Sequence, residues 1–552
     1  MAHMNRPTLP SGLFQIRNSQ PNQARKRIQI QSKTEPGSRR RDESNLLGSL
    51  AATSARAMAL QQQSGSIASS VNKRKCSSPY QQDVDDGDSQ AGIADLPEDI
   101  WHHIHSVMPL RDAGRAACLS RAFLRSWRCR PNLTLSRDAI LSEEYEPGVN
   151  VSHIIDRILR NHSGTGLKIL KLQLYLITNH CLDSWLQVAV TPMIEELTVV
   201  LYSASKKKYQ FPCSVLSNGN GNSIRHLELG FCAFHPTTEC GPLRNLTSLS
   251  LRFVHVTGDE LECFLSNSLA LERLDLSNCS KIICLKIPCV LQKFSSLGAI
   301  GCWRLRVIEC KAPNLSSLRF DENVKLSLRE PLKMKSINMI RSEAVRYART
   351  DLPSFMPNLE SLGLCSSNEV NAPMLPTKLL YLKDLTIMFA SGESFSPFYD
   401  YLSLVSFLDA APSLETLILD VCEQRMEHGS VFRGSLDLRQ IPEHRHCCLM
   451  NVKITGFNSA KSLVELTCYV VKNAVSLEFL TLDTLHGLRC SGEEDSRRRI
   501  GCCPKSNSIL REATRAVAAI RMYIEDKVPS TVKLTVLEPC TLCHDIRRCQ
   551  GS

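Results

Sequence analysis

The chain has 552 residues, 43% of them hydrophobic and 22% charged, with a formal net charge of +11. That length exceeds a single hydrophobic core, which rarely grows past roughly 250–300 residues, so the chain is modular or repetitive. No run approaches the roughly 18 apolar residues of a membrane span, no secretory signal is visible, and 24 scattered cysteines in so large a chain read as reduced, mostly buried thiols of a cytoplasmic or nuclear protein, not as a disulfide scaffold.

Residues 1–92 hold 13 Lys/Arg against 7 Asp/Glu, so more than half of the positive excess sits in this segment. It is rich in Ser, Gln, Arg and Asn, contains QQQSGSIASS, and lacks sustained apolar periodicity. Such a composition cannot bury enough apolar area to offset its ordering entropy, and the segment is expected to be a disordered basic tail. Arg25-Lys26-Arg27, Arg39-Arg40-Arg41 and Lys73-Arg74-Lys75 admit four readings: a solvated tail, an import signal, a weak phosphate-binding patch or a transit peptide. Because the charge is concentrated there, a nucleic-acid interface is not expected in the remainder. The acidic run Asp83–Asp88 has glycine at its fifth position and no closing Glu, so it fails as a calcium loop.

Order is predicted from Asp95, a helix N-cap candidate followed by Pro97, Glu98 and Asp99. Ile100, Trp101, Ile104, Val107 and Met108 recur at helical spacing up to Pro109. Leu110, Ala113, Ala117 and Leu119 continue into a second short helix, and Phe123, Leu124 and Trp127 into a third. Three short helices in about 40 residues are too small for a self-sufficient core and need a partner surface. His102, His103 and His105 crowd the first helix without a matching Cys or acid set, and read as a solvated helix face.

The pattern Leu96-Pro97-Glu98, Ile104, Met108-Pro109-Leu110-Arg111-Asp112, Ala117, Leu119-Ser120-Arg121 and Trp127 resembles an F-box. It departs from many members at Ala122-Phe123, where a Cys-Arg-x-Trp cluster is common. The resemblance implies docking to a Skp-type adaptor, and through it to cullin and RING subunits. It also implies that Leu96, Pro97, Ile104, Leu110, Leu119, Phe123 and Trp127 form the adaptor contact.

Beyond Pro131 an internal repeat emerges: Leu172-Gln-Leu, Leu197-Thr-Val, Leu227-Glu-Leu, Leu249-Ser-Leu, Leu274-Asp-Leu, Leu318-Arg-Phe, Leu362-Gly-Leu, Leu385-Thr-Ile, Leu417-Ile-Leu and Leu480-Thr-Leu. Each resembles the strand of a leucine-rich repeat. The early starts are 25, 30, 22 and 25 residues apart, followed by a gap of 44 that holds two repeats, with a degenerate copy near Leu297, and then by another 44 and by 23. The fullest copy is Leu271-Glu-Arg-Leu-Asp-Leu-Ser-Asn-Cys279, in which Asn278 or Cys279 is expected to cap backbone groups as the strand turns away. Pro313-Asn-Leu and Met356-Pro-Asn-Leu repeat the approach to the strand. No copy can bury its apolar face alone, so the copies must stack into a curved solenoid with a concave, outward-facing strand surface.

The segment from Cys448 to Phe457, the run Ser462–Ala474 and Ser476–Leu482 resemble the FBD-type region at the end of many plant F-box proteins with leucine-rich repeats. By pattern they form a strand, a helix with Leu463, Leu466, Val470 and Val471 on its apolar side, and a strand. A further helix near Leu510 to Glu525 and a strand over Thr531–Leu537 follow.

The resulting organisation is a tail (1–92), an F-box (93–136), a repeat solenoid (137–445) and an FBD-like cap (446–545). The expected fold class is α/β: a short three-helix F-box followed by a leucine-rich-repeat solenoid, a curved, mainly parallel sheet with irregular helices on its convex side. No catalytic constellation, metal site or cofactor is expected. Cys540, Cys543, His544 and Cys549 with Cys502 and Cys503 make only part of a zinc pattern. His444, His446, Cys447 and Cys448 cluster where a surface loop is expected, and Gly219-Asn-Gly221 reads as a turn. The reading is a non-catalytic substrate receptor of an SCF-type ubiquitin ligase, with the repeats gripping an unidentified target protein. The alternative is a repeat scaffold that uses its F-box only for assembly.

Overall fold

The Leu-x-Leu runs become the strands of one continuous parallel sheet. The computed structural model describes residues 97–539 except 120, 142–150, 164–165, 176–178, 203–206, 218, 237–239, 242, 322–323, 367, 370, 390–398, 422–428, 434–436, 440 and 487–505. The tail, Asp95, Leu96 and the cysteines from Cys502 to Cys503 and from Cys540 onward lie outside the described residues.

Three helices lead: α1 (Glu98–Val107), α2 (Leu110–Ala116) and α3 (Arg121–Arg128), with α3 packed on both others. Pro97 and Pro109 stand at the N-caps of α1 and α2, where the missing N–H costs nothing, and Met108 in extended conformation separates the two helices.

Fifteen strands then follow in chain order, each paired in parallel with the next. They are β1 (Asn132–Ser136), β2 (Ile169–Tyr175), β3 (Glu196–Tyr202), β4 (His226–Gly230), β5 (Ser248–Arg252), β6 (Arg273–Ser277), β7 (Ser296–Ile300) and β8 (Ser317–Asp321). After these come β9 (Ser336–Ile340), β10 (Ser361–Ser366), β11 (Asp384–Phe389), β12 (Thr416–Val421), β13 (Asn451–Thr455), β14 (Phe479–Asp483) and β15 (Lys533–Leu537). The sheet begins inside the segment assigned to the F-box (93–136), because Leu133 and Leu135 pair with Leu170 and Leu172 and are fully buried.

Register aligns Leu170, Leu197, Leu227, Leu249, Leu274, Leu297, Leu318, Ile337, Leu362 and Leu385 in one buried row. The first full copy is therefore Leu170-Lys-Leu172, two residues ahead of the expected Leu172-Gln-Leu174. A two-residue slip leaves every side chain on the same face, so alternation alone cannot distinguish the two registers.

Amide side chains join successive coils. Asn245, Asn314 and Asn358 donate from Nδ2 to the carbonyls of Asn222, Gln292 and Leu332 at 2.7–2.9 Å, which explains the recurring Asn-Leu approach. At the strand exits, Asn278 takes a left-handed φ of 56°, and the buried Cys279 thiol donates to the Leu251 carbonyl at 3.4 Å. Both residues thus serve the turn, one by conformation and one by hydrogen bond.

The convex side carries α4 (Ser152–Asn161), α5 (Asn179–Ala189), α6 (Gly258–Ser266), α7 (Ala344–Thr350), α8 (Val405–Ala410), α9 (Lys461–Asn473) and α10 (Asn507–Tyr523). Thr257 and Glu260 form a capping box at the start of α6. Between α6 and α7 this side is mainly extended: Cys284–Ile287, Val307–Cys310 and Lys325–Leu328 form a second parallel sheet. The repeats there are among the shortest, and a strand covers about 3.3 Å per residue against 1.5 Å for a helix, so an extended return closes the coil.

In the C-terminal region, Leu463, Leu466, Val470 and Val471 of α9 are buried as the pattern indicated, but so are Glu465, Thr467 and Asn473. Glu465 accepts from the main-chain N and Nε of Arg439 at 2.9 and 2.7 Å, while Arg439 also binds Asp400 through two 2.8 Å bonds. Among the described cysteines only Cys232, Cys240, Cys279, Cys302 and Cys310 are buried, while Cys118, Cys263, Cys289, Cys447 and Cys448 are exposed and the rest half-buried, which corrects the expectation of mostly buried thiols. None of the described helices is long and apolar enough to cross a membrane.

Candidate functional site

The helices α1–α3 and the turn between the last two leave large apolar side chains exposed. Ile100 is 44%, Val107 69% and Leu119 81% exposed, and Leu124 is also exposed. Of the residues implicated by the F-box resemblance, Leu96 lies outside the described residues, Pro97 is exposed, and Ile104, Leu110, Phe123 and Trp127 are half-buried. Leu110 packs against the core of the solenoid. Phe123 stacks on His105 with ring centroids 5.1 Å apart, and Trp127 sits over Gly114 with its buried indole nitrogen lacking a partner. Ile100, Val107 and Leu124 were not singled out from the sequence as contact residues. Ile100, Ile104 and Val107 nevertheless share one helix face by their i, i+4, i+7 spacing.

These helices are held to the sheet by Arg130, which is 7% exposed. Its guanidinium donates to the carbonyls of His105 (2.6 Å), Ser106 (3.4 Å) and Met108 (2.5 Å), and its Nε to that of Asn132 (2.9 Å). A cation thus satisfies the orphan carbonyls at the negative end of α1 and joins them to β1. The His162 ring bonds the Arg130 carbonyl at 2.8 Å from the end of α4. No sequence pattern marks this Arg, because three of its four partners are main-chain carbonyls more than twenty residues earlier in the chain.

His105, expected on a solvated face, is 1% exposed, and both its ring nitrogens lack a hydrogen-bond partner. Desolvation, then the charges of Arg130 and His102, hold its pKa below the ordinary histidine value. A base whose folded pKa is depressed stabilises the fold above the unfolded value of about 6.5 and loses that contribution as pH falls. Amide-exchange protection of α1–α3 is therefore expected to drop between about pH 7 and 5, and this drop should shrink in His105→Leu. An identical pH profile for the variant would contradict the assignment.

The strands offer a second, extended surface. Alternate side chains point outward, among them Lys171, Glu228, Arg252, Asp275 and Arg319. Arg319 reaches Asp275 across Gly298, where an added Cβ would lie 2.5 Å from the carboxylate, so glycine keeps that path open. At the C-terminal strand ends, Tyr175 and Tyr202 stack at 4.6 Å and Phe231 and Phe253 at 4.6 Å, with Tyr202 and Phe231 5.3 Å apart. Lys208 lies over Phe231 and donates to the Phe253 carbonyl. This aromatic row is suited to flat, mixed contact with a macromolecule. A cleft lined by Ser316, Lys335, Asn358, Glu360 and Tyr381 among others is open, and Lys335 and Glu360 pair within it at 2.9 Å.

The comparisons with known proteins agree with this architecture. Residues 158–541 match the family model described as the At1g61320/AtMIF1 LRR domain. The FBD-associated F-box protein At1g61320 of Arabidopsis thaliana is 24% identical over 416 residues, covering 70% of this chain and 87% of that protein. The putative FBD-associated F-box protein At1g61330 of the same plant is 24% identical over 71% of this chain and 90% of its own length. The putative F-box/FBD/LRR-repeat protein At4g03220, also from Arabidopsis, is 26% identical over 42% of this chain and 46% of its own. The chain belongs to the At1g61320/AtMIF1 leucine-rich-repeat family and is a plant F-box protein with leucine-rich repeats and a C-terminal FBD-like region.

Proposed function

We propose that this protein is the substrate-recognition subunit of an SCF-type ubiquitin ligase. Helices α1–α3 bind a Skp-type adaptor, and through it cullin and RING subunits, while the outward strand surface holds a target protein. The observation that carries this reading is the exposed apolar set Ile100, Val107, Leu119 and Leu124 on a small unit fastened to the solenoid by Arg130. Leu96, Pro97, Ile104, Leu110, Phe123 and Trp127 complete the adaptor contact. The chain itself performs no bond chemistry; it raises the local concentration of a target lysine near the conjugating enzyme.

Capture of purified adaptor and cullin by the full chain tests the reading. Leu119→Asp and the pair Leu96→Ala with Pro97→Ala should each weaken adaptor binding. Burying a large apolar side chain is worth about 1.5–3 kcal/mol, so the loss for Leu119 should be at least roughly tenfold. Because Leu119 is 81% exposed, its replacement should leave the melting temperature unchanged. Failure of the folded wild type to bind adaptor would refute the assignment, whereas adaptor capture without cullin would favour the scaffold alternative.

A further inference from the structure

We propose that Asp409, His444 and His446 form a binding site for a divalent cation of the zinc class, which clasps the segment before β13 onto the convex helices. The three residues come from two elements far apart in sequence. Asp409 is in the last turn of α8, while His444 and His446 lie two residues apart on the segment leading to β13. Their donor atoms all lie within 4.8 Å of one another. Asp409 Oδ1 is 4.0 Å from His444 Nδ1 and 3.9 Å from His446 Nε2. Tetrahedral zinc with bonds of about 2.0–2.1 Å requires separations of about 3.3–3.5 Å, so a shift of about half an ångström per ligand closes the set.

The scaffold around these atoms is prepared. His446 is 6% exposed, and its main-chain N–H donates to the Asn473 carbonyl at 2.9 Å. The His444 N–H donates to Oδ1 of the same buried Asn473 at 3.2 Å. One residue at the end of α9 therefore fixes both histidine backbones. The Tyr469 hydroxyl contacts His446 Nε2 at 3.1 Å and Asp409 Oδ1 at 3.3 Å, which marks the space where the three ligands converge. It would remain beside Asp409 as an orienting hydrogen-bond partner once a cation takes the imidazole nitrogen.

The neighbouring cations do not occupy the carboxylate. Arg349 donates to the carbonyls of Leu375 and Thr377, and Lys378 to the main-chain oxygen of Asp409. His444 is half-exposed, which provides an entry path and an open position for water. Nitrogen and carboxylate donors with an open position suit Zn²⁺ and its borderline neighbours better than Mg²⁺ or Ca²⁺, which prefer all-oxygen shells. Cys447 and Cys448, the thiols next in sequence, are exposed and absent from the set, so the site is built of nitrogen and oxygen alone. The cation would tie α8 to the segment that Arg439 already anchors to Asp400 and Glu465, fixing the junction between the repeats and the FBD-like region.

The test uses the full chain with its thiols reduced, titrated with Co²⁺ and with Zn²⁺ after removal of metal by chelator. Wild type should bind one equivalent of Co²⁺ more than His444→Ala, and the difference spectrum should show visible d–d bands without thiolate charge transfer. Asp409→Asn should weaken that equivalent at least tenfold. Excess Zn²⁺ should raise the melting temperature of wild type more than that of His444→Ala, with the two proteins matching in chelator. Equal stoichiometry and spectra for wild type and His444→Ala, or an extra equivalent carrying thiolate charge transfer, would overturn the site. None of these readouts involves the adaptor, so the outcome is separate from that of the ligase reading.

Discussion

Arg130→Ala is expected to detach α1–α3 from the sheet, seen as a large gain in amide exchange over residues 98–128 with little change in the solenoid. The guanidinium donates to four carbonyls, on His105, Ser106, Met108 and Asn132. Hydrogen bonds to charged groups are worth about 1.5–3 kcal/mol each, and water recovers part of the loss at this junction, so a local cost of about 2–4 kcal/mol follows. A repeat array is held mainly by contacts between neighbouring coils, which confines the damage to one end. Arg130→Lys should be intermediate, since an ammonium keeps the charge at the end of α1 but lacks the planar fork that spans several carbonyls. For the ligase reading the consequence is geometric: the variant would still bind adaptor but would no longer hold a target in one orientation. Unchanged protection of α1–α3 would show that other contacts fix the helices.

Gly456→Ala is expected to be among the most damaging single-methyl changes in the chain. Gly456 follows β13 with a φ of +71°, and a Cβ there would lie 1.9 Å from the Val421 carbonyl oxygen at the end of β12. A left-handed backbone costs an L-residue about 1–2 kcal/mol, and overpacking against an atom that cannot rotate away adds about 1–3 kcal/mol. Together they predict a loss of about 2–5 kcal/mol. Gly219→Ala is the control: its φ is +86°, but a Cβ would meet only the Asn222 side chain at 3.9 Å. It should cost only the backbone part, about 1–2 kcal/mol. Urea unfolding of the two variants measures the difference, and equal midpoints would disprove the steric argument.

Within the FBD-like region this gives the Ile-Thr-Gly-Phe sequence a physical meaning. The strand ends, glycine turns the chain under the neighbouring carbonyl, and the Phe457 N–H then donates to the Asp483 carbonyl at 2.8 Å. Any side chain at position 456 opens that junction.

Much of the architecture was legible from residue order. Leucine at alternate positions, recurring at repeat spacing, can be buried only by stacking like on like, so the strands, their faces and the solenoid follow from periodicity. Pro97 and Pro109 bound the first helices as their missing N–H dictates, and the apolar stripe of α9 could be read directly. Periodicity could not choose between Leu170 and Leu172 as the start of the first copy, because both lie on the same face. It also could not foresee the extended returns at Cys284, Val307 and Lys325, where coil length overrides any preference for helix.

The sequence by itself determined the class of fold, the three-helix unit and the resemblance that identifies it, since these rest on local spacing and on side chains acting within their own segment. Only the tertiary structure decided how that unit is attached, which apolar residues it leaves uncovered, and that Asp409 meets His444 and His446. Those facts depend on main-chain carbonyls and on contacts between residues many positions apart, and the linear order of side chains records neither.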